Sequence, residues 1–169
     1  TWFIPEGGAN PEGIWGCQQI YQEALIQNNN RHFDAVFIAQ GTTTTSLGIL
    51  AALPQTTQLF VVPVLKGFDS RAEMQKLISE SKNNPLTSTL HFPLQQVHFL
   101  DQYHHGGYAK SSNKLMNFIN LFNQTNQFPI EPTYTGKALY ALSQELPKLQ
   151  PSIKNVLFIH TGGVHNPAS

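Results

Sequence analysis

Two short stretches, Phe33-Asp34-Ala35-Val36-Phe37-Ile38 and Leu59-Phe60-Val61-Val62-Pro63-Val64-Leu65, are almost unbroken in apolar residues. Both sit between turn signals and are too short for buried helices, so they read as strands. A strand that is apolar on both faces must be covered on both faces. That is the condition of a parallel sheet between layers of helices. Asn155-Val156-Leu157-Phe158-Ile159-His160 is a further buried strand of this kind, and Val97-His98-Phe99-Leu100 a shorter one. Segments of helical period separate them, so the expected class is α/β, a mainly parallel sheet flanked by helices.

From Glu12 to about Gln27, Ile14, Trp15, Ile20, Leu25 and Ile26 recur near helical spacing. Asn28-Asn29-Asn30 closes that helix, because Asn tolerates left-handed turns. Ser46 to Leu53 reads as a second helix, ended by Pro54. Asp69 or Ser70 caps a third, through Met74, Leu77 and Ile78 to Asn83-Asn84-Pro85. Thr87 to Pro93 is polar enough for a surface loop. Ser111 or Ser112 starts a fourth helix, with Leu115, Met116, Ile119 and Phe122 on one face. An extended link from Phe128 to Tyr134 leads to a last helix. It opens at Thr135-Gly136-Lys137, runs through Leu139, Leu142 and Leu146, and ends at Pro147.

With 169 residues the chain suits one compact domain. Ten basic residues balance ten acidic ones and no basic block stands out. Nucleic acid is therefore not an expected partner, since phosphate backbones demand clustered Lys and Arg. The single cysteine, Cys17, excludes an internal disulfide framework and fits a reducing compartment, so the expected location is cytoplasmic. No apolar run approaches the length of a membrane span, and no signal-peptide pattern opens the chain. Thr1-Trp2-Phe3-Ile4-Pro5 begins without methionine and in mid-strand character, so the chain reads as a fragment. Phe3 to Pro11 is an apolar stub followed by a turn-rich loop.

The candidate site begins at Ala39-Gln40-Gly41-Thr42-Thr43-Thr44-Thr45-Ser46-Leu47-Gly48-Ile49-Leu50. Four consecutive threonines at a strand-to-helix turn gather backbone N–H groups and hydroxyls at the positive end of a helix dipole, a place to hold a phosphate. The competing reading is an ordinary threonine-rich cap. Two further glycine-rich loops, at 106–107 and 162–163, also follow strands. Ligands of open α/β sheets bind at the carboxyl ends of strands, so the three loops can converge on one cleft. The pattern fits a phosphorylated cofactor. It is not a P-loop, because Gly41 is not followed by Gly-Lys-Ser/Thr, and it lacks the glycines of a dinucleotide fingerprint.

Four stretches, in order, carry a family resemblance. IPEGGANPEGIWG resembles IPxGGSNPLGxxG, AQGTTTTSLG resembles ASGSGGTHAG, HHGGYAK resembles a GPGYG segment, and EPTYTGKAL with HTGG resembles DPVYTGKA with a terminal TGG. These are motifs of fold-type II pyridoxal-phosphate enzymes of the D-cysteine desulfhydrase and 1-aminocyclopropane-1-carboxylate deaminase group, whose fold is tryptophan synthase β-like. The resemblance implies that residues 1–169 are a C-terminal, cofactor-binding portion. It implies pyridoxal phosphate as cofactor, a small amino acid as substrate and a homodimer when full-length. Gly41, Thr42, Thr43, Thr44 and Thr45 are expected around the phosphate. Tyr134 is expected beside the ring, Thr135 at the pyridine nitrogen, Asn10 near the cofactor entrance, and Thr161 with Gly162 on the ring's far side.

By the same resemblance, the lysine that forms a Schiff base with the cofactor lies in an Asn-Lys-x-Arg segment upstream, absent from this chain. Asn113-Lys114 lacks the following arginine, and Lys137 is expected to begin a helix or to contact backbone. This polypeptide alone is therefore expected not to turn over substrate. The deaminase branch of the family carries glutamate where Thr135 stands. A neutral hydroxyl makes the ring a weaker electron sink, which favours β-elimination of a thiol over opening a cyclopropane. Three alternatives remain: 1-aminocyclopropane-1-carboxylate deamination, a truncated, inactive cofactor-binding relative, and a generic Rossmann-like nucleotide binder. No metal is expected, because the adjacent His104 and His105 diverge. His160 and His165 read as loop histidines, Cys17, Trp15 and Phe37 as packing, and Asp101 as a turn or cap.

Overall fold

The computed structural model describes residues 4–162. Its four strands, β1 (Ala35–Gln40), β2 (Gln58–Pro63), β3 (Val97–Phe99) and β4 (Val156–Ile159), are all parallel and lie in the order β3-β2-β1-β4. β1 pairs on both sides, with Ile38 opposite Val61 on one edge and Ile159 on the other. Among the described residues the α-helices are α1 (Pro11–Gln27), α2 (Thr44–Ala52), α3 (Ser70–Ser81), α4 (Asn113–Thr125) and α5 (Thr135–Glu145). The α/β class expected from the sequence is the one observed.

Topology decides which helix covers which face. From β1 through β2 to β3 the chain steps in one direction across the sheet, so right-handed crossovers put α2 and α3 on one face. It then returns past β1 to β4, which puts the intervening helices on the other. The packing follows this rule. Val36, Ile38, Leu59 and Val61 meet Ile14 and Tyr21 of α1, Leu47 and Leu50 of α2, and Met74 and Leu77 of α3. Phe37, Ala39, Phe60 and Val62 meet Ala138 and Ala141 of α5, and α4 backs onto α5 through Leu115, Ile119 and Tyr140. Every residue of β1 is buried, Gln40 included. Each such apolar side chain is worth about 1.5–3 kcal/mol over an exposed one.

Some boundaries and packing roles differ from the sequence reading. α2 begins at Thr44, two residues before the expected Ser46, so half of the threonine run is helical. Trp15, expected to pack, is 46% exposed. It faces outward from α1 while Ile14 alone is buried beside it. Cys17 is half-buried against α2. Asn29 and Asn30 do adopt left-handed backbone, with φ of 54° and 59°. His165 and Gly163 lie outside the described residues.

Candidate functional site at the carboxyl end of the sheet

β1 is the strand at which the order reverses, since β2 and β3 lie to one side of it and β4 to the other. In open α/β sheets the crevice for a ligand opens at such a point, outside the carboxyl ends of the strands. The threonine turn occupies that place. Thr43, the residue before α2, makes no side-chain hydrogen bond to the helix. The first backbone bond into the helix is Leu47 N–H to the Thr43 carbonyl, 3.0 Å. The N–H groups of Thr44, Thr45 and Ser46 precede it and have no intrahelical acceptor. Thr44 is 2% exposed, and its hydroxyl has no hydrogen-bond partner. A buried hydroxyl without a partner carries a desolvation cost of about 1–3 kcal/mol.

The opening loop folds over this turn. A Cβ on Gly7, whose φ is +62°, would stand 2.4 Å from the Thr42 hydroxyl, and one on Gly13 would stand 2.8 Å from the Thr44 methyl. Asn10 lies between these glycines and caps α1, its Oδ1 accepting the Gly13 N–H at 2.8 Å. The Thr45 hydroxyl turns toward α1, where the Cys17 thiol approaches it at 3.9 Å. Ser46 donates to the buried Gln40 side chain at 3.3 Å.

Tyr134 meets the turn from the other side. A Cβ on Gly41 would lie 3.0 Å from Tyr134 Cε1 and 3.5 Å from its hydroxyl, so glycine lets the ring rest on the turn. Burial, then the neighbouring Tyr108 hydroxyl, Glu131 and Glu6, push the Tyr134 phenol up to about 12. The Tyr108 ring stands edge-on to it, centroids 6.0 Å apart. Tyr108 was not among the residues picked from the sequence. Its glycine-rich segment was visible, but the tyrosine's partner lies on another element.

Thr135 is fully buried and is bound to its own helix start. Its hydroxyl accepts the Glu131 N–H at 3.1 Å and donates to Glu131 Oε1 at 3.3 Å. The Glu131 carboxylate also accepts the N–H groups of Thr133, Tyr134 and Thr135 at 2.5, 2.6 and 2.8 Å. Glu131 is thus the cap of α5, a role the sequence reading missed. Thr161 and Gly162 follow β4 at the same end of the sheet as Gly41, by the Ile38–Ile159 register. Thr161 is exposed, and Gly162 N–H approaches His160 Nδ1 at 3.3 Å.

Neither lysine of the chain's two motifs is idle. Lys137 is fully buried and donates to the Gly107 carbonyl at 2.7 Å, the backbone contact expected of it. Lys114 sits over the Tyr140 ring at 5.7 Å. A broad cleft of about 1060 Å³ lies on the β3 flank, lined by Phe60, Arg71, His98, Phe99 and His104 among others. It shares no residue with the threonine turn. Among the described residues, no helix is long and apolar enough to cross a membrane.

Comparison with known proteins agrees with this fold. A family model described as "Pyridoxal-phosphate dependent enzyme" matches residues 1–162. A D-cysteine desulfhydrase of Yersinia pestis (strain Pestoides F) is 28% identical over 167 residues, 96% of this chain and 50% of the relative. A crystal structure of an ACC deaminase homologue superposes with a TM-score of 0.77 at 26% identity, covering 95% of this chain and 49% of the other. A fungal L-serine ammonia-lyase from Rhizomucor miehei, at 21% identity and a TM-score of 0.53 over 89% of this chain and 51% of its own, shares the fold. The chain spans about half the length of the curated relatives it matches.

Proposed function

Because this chain belongs to the pyridoxal-phosphate dependent enzyme family, we propose that it is the cofactor-cradling portion of an enzyme that acts on a small amino acid. The leading reaction is D-cysteine desulfhydrase-like β-elimination, with pyruvate, ammonia and sulfide as products. The observation that carries the cofactor reading is the partnerless, buried Thr44 hydroxyl at the uncapped start of α2, three residues after Gly41, on which the Tyr134 ring rests. That set of groups fits a phosphate ester. The free N–H groups and the hydroxyl donate to its oxygens, and the helix dipole favours its charge.

Bound there, pyridoxal phosphate would supply an electron-withdrawing ring that stabilises negative charge at the α-carbon of an amino-acid substrate. The chain's own residues hold and orient it. Gly41 leaves room for the Tyr134 ring at the edge of the turn, and that phenol, neutral as any phenol is at physiological pH, can act as a hydrogen-bond donor. Thr135 offers the ring nitrogen no formal charge, and its hydroxyl is shared with Glu131. This supports departure of a thiol over opening of a cyclopropane, and 1-aminocyclopropane-1-carboxylate deamination is the second reading, favoured by the ACC deaminase homologue's likeness. Asn10 borders the entrance, and Thr161 with Gly162 borders the far side of the ring. Lys137 is bound to Gly107 and Lys114 lies over Tyr140, which supports neither of them as the lysine joined to the cofactor. The full-length protein is a cytoplasmic homodimer in this proposal.

The test is an assay of the full-length protein with D-cysteine and with 1-aminocyclopropane-1-carboxylate. Pyruvate and sulfide released from D-cysteine, dependent on added pyridoxal phosphate, is the expected result. Faster turnover of the cyclopropane substrate would replace the leading reaction by the second. Activity indifferent to removal of the cofactor would end both.

A further inference from the structure

Lys137 is a buried amine without a place in the chemistry above. It is fully buried in the first turn of α5. Its Nζ reaches across to the Gly107 carbonyl at 2.7 Å, thirty residues away in sequence. The loop it reaches is an unusual one. His105, Gly106, Gly107 and Ala109 all have positive φ, at 48°, 100°, 112° and 53°. Two of them are not glycine, and such backbone persists only where its surroundings impose it. Gly107 cannot change to relieve the path, since a Cβ there would meet Lys66 Cβ at 3.1 Å.

Inside the loop, Gly106 and Gly107 N–H donate to His104 Nδ1 and the His104 carbonyl, at 2.9 and 3.0 Å, and side-chain contacts fasten it further. At one end, His105 bonds Ser112 at 2.9 Å and stands edge-on to Tyr140. In its middle, the Gly107 carbonyl takes both the Lys110 N–H, at 3.1 Å, and the Lys137 amine. Tyr108 follows directly. It is 56% exposed, so little else packs it, yet its ring stands against Tyr134.

We propose that Lys137 is a positioning residue: by gripping the Gly107 carbonyl it holds the 104–110 loop in its left-handed path and so fixes the Tyr108 ring against Tyr134. Protonated or neutral, the amine donates the same bond. That the held tyrosine borders the substrate rests on the cofactor reading above, whereas the grip itself does not.

The test places 3-fluorotyrosine at position 108 and follows its fluorine resonance without cofactor, with Tyr134→Leu as the reference for a lost ring contact. Lys137→Met and the milder Lys137→Gln, each checked for folding by circular dichroism, are compared with the wild type. The expected result is a resonance that moves in Lys137→Met to the position seen in Tyr134→Leu. In the holoenzyme, kcat/KM then falls on the order of a hundredfold, as misplacement of a group by an ångström can cause. A folded Lys137→Met with an unmoved resonance overturns the proposal. So does failure of both variants to fold, which would assign Lys137 to the core of α5 alone. Because the resonance is read without cofactor, its outcome stands apart from whether the protein binds pyridoxal phosphate.

Discussion

At Gly41 a single missing methyl decides how closely Tyr134 lies on the threonine turn. In Gly41→Ala the new carbon would stand 3.0 Å from Cε1. Tyr134 is only half-buried and can yield, so stability should change by less than about 1 kcal/mol. The displaced ring should nevertheless weaken pyridoxal phosphate binding about tenfold, equivalent to roughly 1.4 kcal/mol. Thermal unfolding and a binding titration check the two halves. The Tyr134 phenol gives a second prediction. Its pKa is raised in the fold, so the stability it contributes is complete below 10.0 and is lost as pH rises through about 12. Phenolate absorbance should show a tyrosine titrating that high, and Tyr108→Leu should lower it by removing the neighbouring hydroxyl. The threonine run and Tyr134 were legible because each sits in a local pattern. Tyr108 and Glu131 were not, because what gives each its role lies on another segment or in a cap geometry that EPTYTGK does not spell out; for Lys137 a backbone contact was expected, but not that its acceptor is Gly107, thirty residues away.

The elements are joined at two points where small changes should be costly. α1 and α2 cross so closely at Gly48 that a Cβ there would lie 2.4 Å from Cys17 Cβ and 2.7 Å from the Ile14 carbonyl. Backbone cannot step aside easily, so Gly48→Ala should destabilise the fold by about 1–3 kcal/mol in denaturant unfolding. At the start of α5, Glu131→Ala removes the acceptor of three backbone N–H groups. Loss of such a cap costs about 0.5–2 kcal/mol. The same unfolding experiment reads it. Helix and strand identities were visible in the chain because their periods are local. Boundaries were less so. Thr44 and Thr45 read as turn residues, yet they enter α2, where tertiary packing on Gly13 and Cys17 outweighs their modest helix propensity.

Across the molecule, the sheet order is what brings separate motifs to one end of the sheet. The sequence declares four strands but not that β4 returns to lie beside β1, because pairing partners far apart in the chain leave no local mark. That return is tied down at the opposite end of the sheet. Asp34 accepts the N–H groups of Lys154 and Asn155, each at 2.8 Å, and these bonds hold its carboxyl below the usual carboxylate range. The site end is then where the threonine turn, the opening loop and Tyr134 meet.

The most direct measurement is the affinity of pyridoxal phosphate for the wild type and for Thr44→Val, read by equilibrium dialysis beside the thermal midpoint of each ligand-free protein. Valine keeps the shape and removes the partnerless hydroxyl. The expected result for Thr44→Val is binding weaker by about ten- to a hundredfold, the worth of a hydrogen bond to a charged group, with a midpoint unchanged or raised. Equal affinity in the two proteins, or no saturable binding to the wild type, would contradict the placement of a phosphate at the start of α2.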